Sequence, residues 1–305
     1  MARVVMVGTL RKELVTALVA RHDAPELDQL DPAEAGSVEV AVTSGVWGVR
    51  REHLERLPRL GAVVNFGVGY DSSDVEEARS RGVQVANTPD VLTDCVADAA
   101  VGLVIDVMRR LSAADRFVRR GEWVGGGVPP LTRRVTGARV GILGLGRIGS
   151  AVAQRLAGFD VELSYHSRTP RDVPHRYAAS PVELAQGCDV LVVTTAGGAQ
   201  SRHLVDAEVI GALGPNGYLV NVARGSVVDE VSLIAALEAG QLAGAGLDVF
   251  ADEPHVPAAL LGRDDVVLLP HLGSATIETR AAMTELVLAN VDRFLSDGTL
   301  LTPIG

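Results

Sequence analysis

Lysine is nearly missing from this chain. Lys12 is its only lysine, so almost all of its 28 basic side chains are arginine, and 38 acidic residues leave a net charge of −10. The arginine bias reads as compositional. The acidity argues against nucleic acid as the main partner, because phosphate backbones need a basic face. Cysteine is also scarce. Cys95 and Cys188 form no C-x-x-C pair and stand beside no clustered histidines, so neither a disulfide nor a metal site is expected. No run approaches the roughly 18 apolar residues of a membrane span. The opening MARVVMVGTL reads as a strand, with neither a long apolar core nor a cleavage site. The expectation is a cytoplasmic protein with no leader and no membrane contact. No solenoid-period repeat and no low-complexity tract appear.

Other features are plentiful. Apolar residues make up 47% of the 305, enough for a sizeable core, and the length suggests two domains. Over residues 1–90 strand and helix patterns alternate. Strands are expected at Val4–Val7, Val38–Val42, Ala62–Phe66 and Val83–Ala86, and helices at Lys12–Arg21, Arg51–Leu57 and Asp74–Arg81. Val91–Val118 reads as one long helix connecting two domains. Alternation returns from Gly137 to about Ala275. Six strands are expected there, at Arg139–Leu143, Val161–Tyr165, Asp189–Val193, Tyr218–Val222, Gly244–Val249 and Val266–Leu269. A final helix, Thr276–Ser296, is long enough to return to the first domain, with Leu300–Ile304 docking there. The fold class is therefore α/β: two doubly wound, Rossmann-like parallel sheets.

The chain is organised around Val140–Gly149 (VGILGLGRIG). An apolar strand runs into Gly144-x-Gly146-x-x-Gly149 and then into a helix whose Ile148, Val152, Ala153 and Leu156 share one face. In that context the glycines are a dinucleotide fingerprint. Gly144 allows the turn, Gly146 lets the backbone approach a pyrophosphate, and Gly149 lets the helix pack on the strand. The helix N-terminus offers free N–H groups and partial positive charge. The bland alternative is a glycine turn without a ligand.

NAD-specific folds place an Asp or Glu about 20 residues further on, to hold the ribose 2′-hydroxyl. Here that place reads Tyr165–Thr169 (YHSRT), without a carboxylate; Asp160 and Glu162 come too early. Ser167 and Thr169 can donate to a 2′-phosphate and Arg168 can pair with it, so NADP(H) is expected over NAD(H). An exposed loop with an incidental arginine is the competing reading.

Three polar residues follow strand ends of the second sheet: Arg224, Glu253 and His271. Ligands gather at that edge in open α/β sheets. An arginine offers a fork to a carboxylate, and a histidine beside a glutamate is a usable proton donor. Together they suit reduction of a 2-keto acid, although each alone reads equally as a surface Arg, a loop Glu or a satisfied His. His255 follows no strand and is discounted. In the first domain Phe66–Asp71 lies at a strand's carboxyl end, either as an anion-binding nest or as a plain βα turn. Gly121–Thr136 is a Gly- and Pro-rich arm. Its Trp123 either anchors a subunit contact or caps its own chain's core. The loop Thr43–Val49, with Trp47, is the expected substrate-pocket wall, together with Val68 and Trp123. Trp47 either fills the pocket, favouring small acids, or stacks on an aromatic one.

The runs Asn65–Asp71 (NFGVGYD), Asn87–Thr93 (NTPDVLT), Gly141–Gly149 (GILGLGRIG), Asn221–Gly225 (NVARG), Gly246–Phe250 (GLDVF) with Glu253-Pro254, and Leu269–Ser274 (LPHLGS) resemble the D-isomer-specific 2-hydroxyacid dehydrogenases, in that family's order and over nearly the whole chain. Ser167–Thr169 and the closing Leu301–Pro303 look most like the NADPH-using glyoxylate/hydroxypyruvate and hydroxyphenylpyruvate reductases. The resemblance implies a catalytic set of Arg224, Glu253 and His271, with His271 as acid/base. It implies that the N–H groups of Val68 and Gly69 take the substrate carboxylate. For the cofactor it implies Arg147 and Ile148 on the pyrophosphate. Thr195, Val222, Ala223 and Asp248 then lie along the nucleotide, Asp248 near the nicotinamide amide. Thr93, Arg224, His271 and Gly273 belong to the same cofactor set.

It further implies a substrate-binding, flavodoxin-like domain of residues 1–97 and 286–305, a dinucleotide-binding domain of residues 98–285 and an active site in the cleft between them. A homodimer is expected, its arm carrying Trp123 toward the partner's site. One departure is Ala196-Gly197-Gly198, where the family has a Pro-rich loop flanking the adenine. That leaves cofactor affinity there open. The expected activity is NADPH-dependent reduction of a small 2-keto acid to a D-2-hydroxy acid. The rivals are a hydroxyphenylpyruvate-type reductase, a formate or phosphite oxidiser on the same scaffold, and a nucleotide-sensing, co-repressor-like binding protein.

Overall fold

Short runs rich in valine build the first sheet of the computed structural model, which describes residues 2–304. Strands β1 (Val4–Met6), β2 (Val40–Ser44), β3 (Ala62–Phe66) and β4 (Gln84–Ala86) alternate with helices α1 (Lys12–His22), α2 (Arg51–Arg56) and α3 (Val75–Ser80). All four strands are parallel, in the order β1-β2-β3-β4. β1 and β3 are buried throughout, as parallel strands covered on both faces must be. Single bridges flank this sheet, Met6 to Glu26 beyond β1 and Ala86 to Pro303, antiparallel, beyond β4. Counting the Glu26 bridge as the second strand gives the flavodoxin-like order 2-1-3-4-5.

The second sheet begins after helices α4 (Thr93–Arg109) and α5 (Leu111–Arg119). It is built from β5 (Arg139–Leu143), α6 (Arg147–Leu156), β6 (Glu162–His166), β7 (Arg176–Tyr177), α7 (Pro181–Gln186), β8 (Val190–Val193), α8 (Ala207–Leu213), β9 (Tyr218–Asn221), α9 (Glu230–Glu238), β10 (Gly244–Leu247), α10 (Ala258–Leu261) and β11 (Val266–Leu268). The strands are parallel in the order β11-β10-β9-β8-β5-β6-β7. Chain order reverses between β5 and β8, so the glycine turn leaves β5 at the topological switch point. The last helix, α11 (Ile277–Asp297), starts on the cap made by Thr276 Oγ1 and Thr279 N–H, 3.2 Å apart.

The chain divides into two compact units, Met1–Leu92 with Thr276–Gly305, and Thr93–Ala275. The crossings thus fall at the starts of α4 and α11, whereas the sequence reading set them at 97/98 and 285/286, inside those helices. The closing residues return to the first unit, where Ile304 N–H donates to Val85 O at 2.8 Å.

Two expectations need correction. The single helix over Val91–Val118 is two helices, because Arg110 adopts a left-handed conformation with φ +51°. Asp106 Oδ1 then accepts the Ser112 N–H at 2.8 Å and restarts the helix. The six-stranded sheet has a seventh strand, β7. It is only two residues long, too short to leave a periodic pattern.

Candidate active site

At the carboxyl edge of the second sheet, three loops are stitched together. β9 ends at buried Asn221, whose Oδ1 accepts the Ala223 N–H and whose Nδ2 donates to Arg224 O, both at 3.0 Å. Gly225 follows. A Cβ there would lie 1.9 Å from the carbonyl carbon of Phe250, so only glycine lets this turn close on the chain leaving β10. Arg224 is thereby set beside the Phe250–Glu253 segment, with its Nη1 on Ala223 O at 2.7 Å.

β10 runs into Asp248, a carboxylate only 2% exposed. Its two oxygens accept the N–H groups of Leu272 (2.7 Å) and Gly273 (2.9 Å), and its carbonyl accepts that of His271 (2.9 Å). These bonds hold the 271–273 turn, in which His271 has φ +51°. Burial raises the Asp248 pKa, although the two N–H donors oppose the shift. Cys95 Sγ, from α4, donates to Gly273 O on the same turn.

The imidazole is oriented in turn. His271 Nδ1 lies 2.7 Å from Glu253 Oε2, while Glu253 Oε1 accepts the Phe250 N–H at 3.1 Å. Burial alone would raise the Glu253 pKa. The hydrogen bond and charge of His271, the Phe250 N–H and the charge of Arg224 outweigh it, so the carboxyl lies below its ordinary value. With Nδ1 donating to this carboxylate, Nε2 is the nitrogen left to exchange a proton. The structure therefore brings Arg224, Glu253 and His271 together. It leaves His255 in an exposed turn beside Asp252, 3.4 Å away.

The glycine turn fits a dinucleotide. Gly144 has φ +102°, and a Cβ on it would meet Thr195 N and Cα at 2.7 Å. Gly149 packs its α-carbon on the turn, where a Cβ would lie 2.3 Å from Gly144 O. Over Gly146 a Cβ would meet nothing within 4 Å, which is the open space a pyrophosphate needs. Gly146 caps α6 without a side chain, so Arg147 and Ile148 open an uncapped N-terminus. Val222 and Ala223 line the β9 exit, and Thr93 is the first residue of α4.

β6 leads to Ser167, Arg168 and Thr169, with Ser167 Oγ bonded to Thr169 O at 2.8 Å. Sequence reasoning missed Arg171. Buried Tyr165 clasps its backbone, accepting from Arg171 N (2.7 Å) and donating to Arg171 O (3.0 Å), and the guanidinium donates to Leu145 O within the glycine turn. Its place after a proline, on no periodic face, gave no signal.

In the first unit Val68 and Gly69 lie in the turn after β3. Their backbone N–H groups make no hydrogen bond with any described residue. Trp47 packs on Gly8, where a Cβ would lie 2.5 Å from Trp47 Cγ. Trp123 is 66% exposed and so does not cap its own chain's core.

The chain is similar to known proteins over most of its length. Residues 101–273 match the family described as D-isomer specific 2-hydroxyacid dehydrogenase, NAD binding domain. The chain is 46% identical to glyoxylate/hydroxypyruvate reductase A HPR2 of Arabidopsis thaliana, over 92% of this chain and 90% of that one. It is 47% identical to hydroxyphenylpyruvate reductase of Plectranthus scutellarioides, over 89% and 87%. The crystal structure of an NADPH-dependent glyoxylate/hydroxypyruvate reductase from Sinorhizobium meliloti, in complex with NADP and malonate, superposes with a TM-score of 0.93 at 42% identity, covering 100% of this chain and 97% of that one.

Proposed function

Because the chain belongs to the D-isomer-specific 2-hydroxyacid dehydrogenase family, an oxidoreductase family, we propose that it reduces a small 2-keto acid of the glyoxylate/hydroxypyruvate type to the D-2-hydroxy acid, with NADPH preferred over NADH. The observation that carries this reading is the Glu253–His271 pair at 2.7 Å, beside the Gly225 turn that packs on Phe250 and carries Arg224. In the proposed mechanism Arg224 binds the substrate carboxylate and polarises the keto group. His271 Nε2 delivers a proton to the keto oxygen. Glu253 fixes the ring and balances its positive charge. The N–H groups of Val68 and Gly69 are the proposed backbone donors to that carboxylate. The bound nicotinamide, when present, supplies the hydride.

In this reading the first unit binds substrate and the second binds the dinucleotide. Gly144, Gly146, Arg147, Ile148 and Gly149 hold the pyrophosphate, and Thr93, Thr195, Val222, Ala223, Asp248 and Gly273 line the rest of the nucleotide. The NADPH preference is supported by Ser167, Arg168 and Thr169, and by the missing carboxylate at the end of β6. The small acid is supported by Trp47, whose bulky ring is seated on the Gly8 backbone in the loop after β2. The Plectranthus relative keeps hydroxyphenylpyruvate as the second reading. No described helix is long and apolar enough to cross a membrane, and Cys95 and Cys188 are free thiols.

The test is a panel of glyoxylate, hydroxypyruvate, pyruvate and hydroxyphenylpyruvate, each with both cofactors. The highest kcat/KM is expected for glyoxylate or hydroxypyruvate with NADPH. A preference for NADH removes the cofactor assignment. No turnover with any acid removes the enzyme in favour of a nucleotide-sensing binding protein.

A further inference from the structure

The turn that carries Val68 and Gly69 is shaped by side-chain amides. Asn65, 0% exposed, donates Nδ2 to the carbonyls of Gly67 (3.2 Å) and Gly69 (2.7 Å). Its orientation is determined, since a flipped amide would face both carbonyls with its oxygen. Asn87 Nδ2 donates to Val68 O at 2.8 Å. Thr88 Oγ1 accepts the Gly67 N–H at 3.1 Å, and Thr88 N–H donates to Gly67 O at 3.0 Å. Three successive carbonyls are thus engaged by the protein itself, which leaves the two N–H groups to a ligand.

A second layer stands behind Asn87. Thr302, in the closing segment, donates its hydroxyl to Asn87 O at 2.6 Å and accepts the Asn87 N–H on its carbonyl at 3.4 Å. Asn290 of α11, 0% exposed, grips Thr302 in turn. Its Nδ2 donates to Thr302 Oγ1 (3.0 Å) and Leu286 O (2.8 Å), and its Oδ1 accepts the N–H groups of Leu301 (3.0 Å) and Thr302 (3.1 Å). A side-chain amide has two donor hydrogens and two acceptor lone pairs, and Asn290 uses all four. A continuous chain of hydrogen bonds therefore runs from α11 through the closing segment and Asn87 to the carbonyl of Val68.

We propose that Asn290, Thr302 and Asn87 are positioning residues for the substrate carboxylate, which makes the closing segment part of the framework of the substrate site. The proposal rests on the reading that Val68 and Gly69 receive that carboxylate. A buried amide network of this kind holds one geometry, because each member loses more by leaving a partner unpaired than by moving with it.

Thr302→Val keeps the side chain's shape, removes the hydroxyl and leaves both Asn87 O and one Asn290 N–H unpaired. The expected result is a KM for glyoxylate raised about fivefold, the size of one net hydrogen bond, with kcat changed less than about twofold. KM for NADPH stays at the wild-type value, and Thr302→Ser, which restores the hydroxyl, returns the glyoxylate KM. Asn87→Ala reads the same link one step nearer the turn and should split the constants in the same way if the valine variant does not fold. An unchanged glyoxylate KM in both variants overturns the positioning role. So does a parallel rise in both KM values with a fall in Tm, which is what a merely structural tail gives. A wild-type enzyme that reduces no 2-keto acid overturns the underlying reading and the positioning role together.

Discussion

His271 sits in a backbone conformation that non-glycine residues seldom adopt, and three hydrogen bonds from Asp248 to the 271–273 turn keep it there. The ring is held separately, by Glu253 on Nδ1. Removing the imidazole in His271→Ala should lower kcat by a hundredfold or more, on the ~10²–10⁴ scale of general acid catalysis, while NADPH still binds. Wild-type turnover in that variant would remove the mechanism. Glu253 carries a linked stability effect. Its pKa is lowered in the fold, so the contacts of its carboxylate with His271, the Phe250 N–H and Arg224 contribute stability that is present above the ordinary carboxylate value and is lost as pH falls through the lowered one. In urea titrations, the midpoint gap between wild type and Glu253→Gln should be open at neutral pH and close below about pH 4. A gap independent of pH would contradict the assigned charge. Arg224, Glu253 and His271 were legible in the sequence because each follows a strand end. The clamp made by Asp248, the fold-back by Asn221 and the Arg171–Leu145 link were not legible, because their partners are distant in sequence and meet only once the sheet has formed.

At the scale of elements, periodicity is a good guide wherever a strand or helix is long enough to show it. β5 and α6 stand where their apolar pattern puts them. The pattern fails at Arg110, where apolar spacing continues across a residue that leaves the helix. The stop is written in the Asp106–Ser112 cap, a polar contact that a hydrophobic template does not score. The βα turn between β5 and α6 permits a sharper test, because its glycines have different neighbours. Gly149→Ala drives a Cβ to 2.3 Å from Gly144 O, a backbone atom that cannot give way. It should destabilise the protein by about 1–3 kcal/mol, as overpacking does, and weaken NADPH binding as α6 is displaced. Gly146→Ala meets no protein atom within 4 Å. Its melting temperature should match wild type while its NADPH affinity falls, because the methyl group enters only the space meant for the pyrophosphate. Equal losses of stability in the two variants would show that Gly146 serves the fold and not the ligand.

Over the whole molecule, a net charge of −10 keeps copies of the chain apart in general, so an apolar surface that remains exposed calls for a specific partner. The segment from α5 onward is such a surface. α5 has no buried residue, yet it is tied to its own unit on one side, where Arg116 and Arg120 pair with Asp264. Beyond it Trp123, Val124, Val128 and Leu131 are 66%, 93%, 87% and 100% exposed. No described residue covers these four large apolar side chains, and a second copy presenting the same segment about a twofold axis is the occupant that a self-complementary patch suits. We therefore expect a homodimer, with light scattering after gel filtration giving twice the chain mass at micromolar concentration. Val128→Asp with Leu131→Asp places a charge where that contact would be desolvated and should yield a monomer with an unchanged melting transition for each chain. If the arm also carries Trp123 to the partner's site, the monomer keeps its NADPH affinity and loses affinity for the keto acid. A wild-type chain that runs as a monomer would leave the exposed segment unexplained and remove the dimer. A charged double variant that stays dimeric would move the interface to another face.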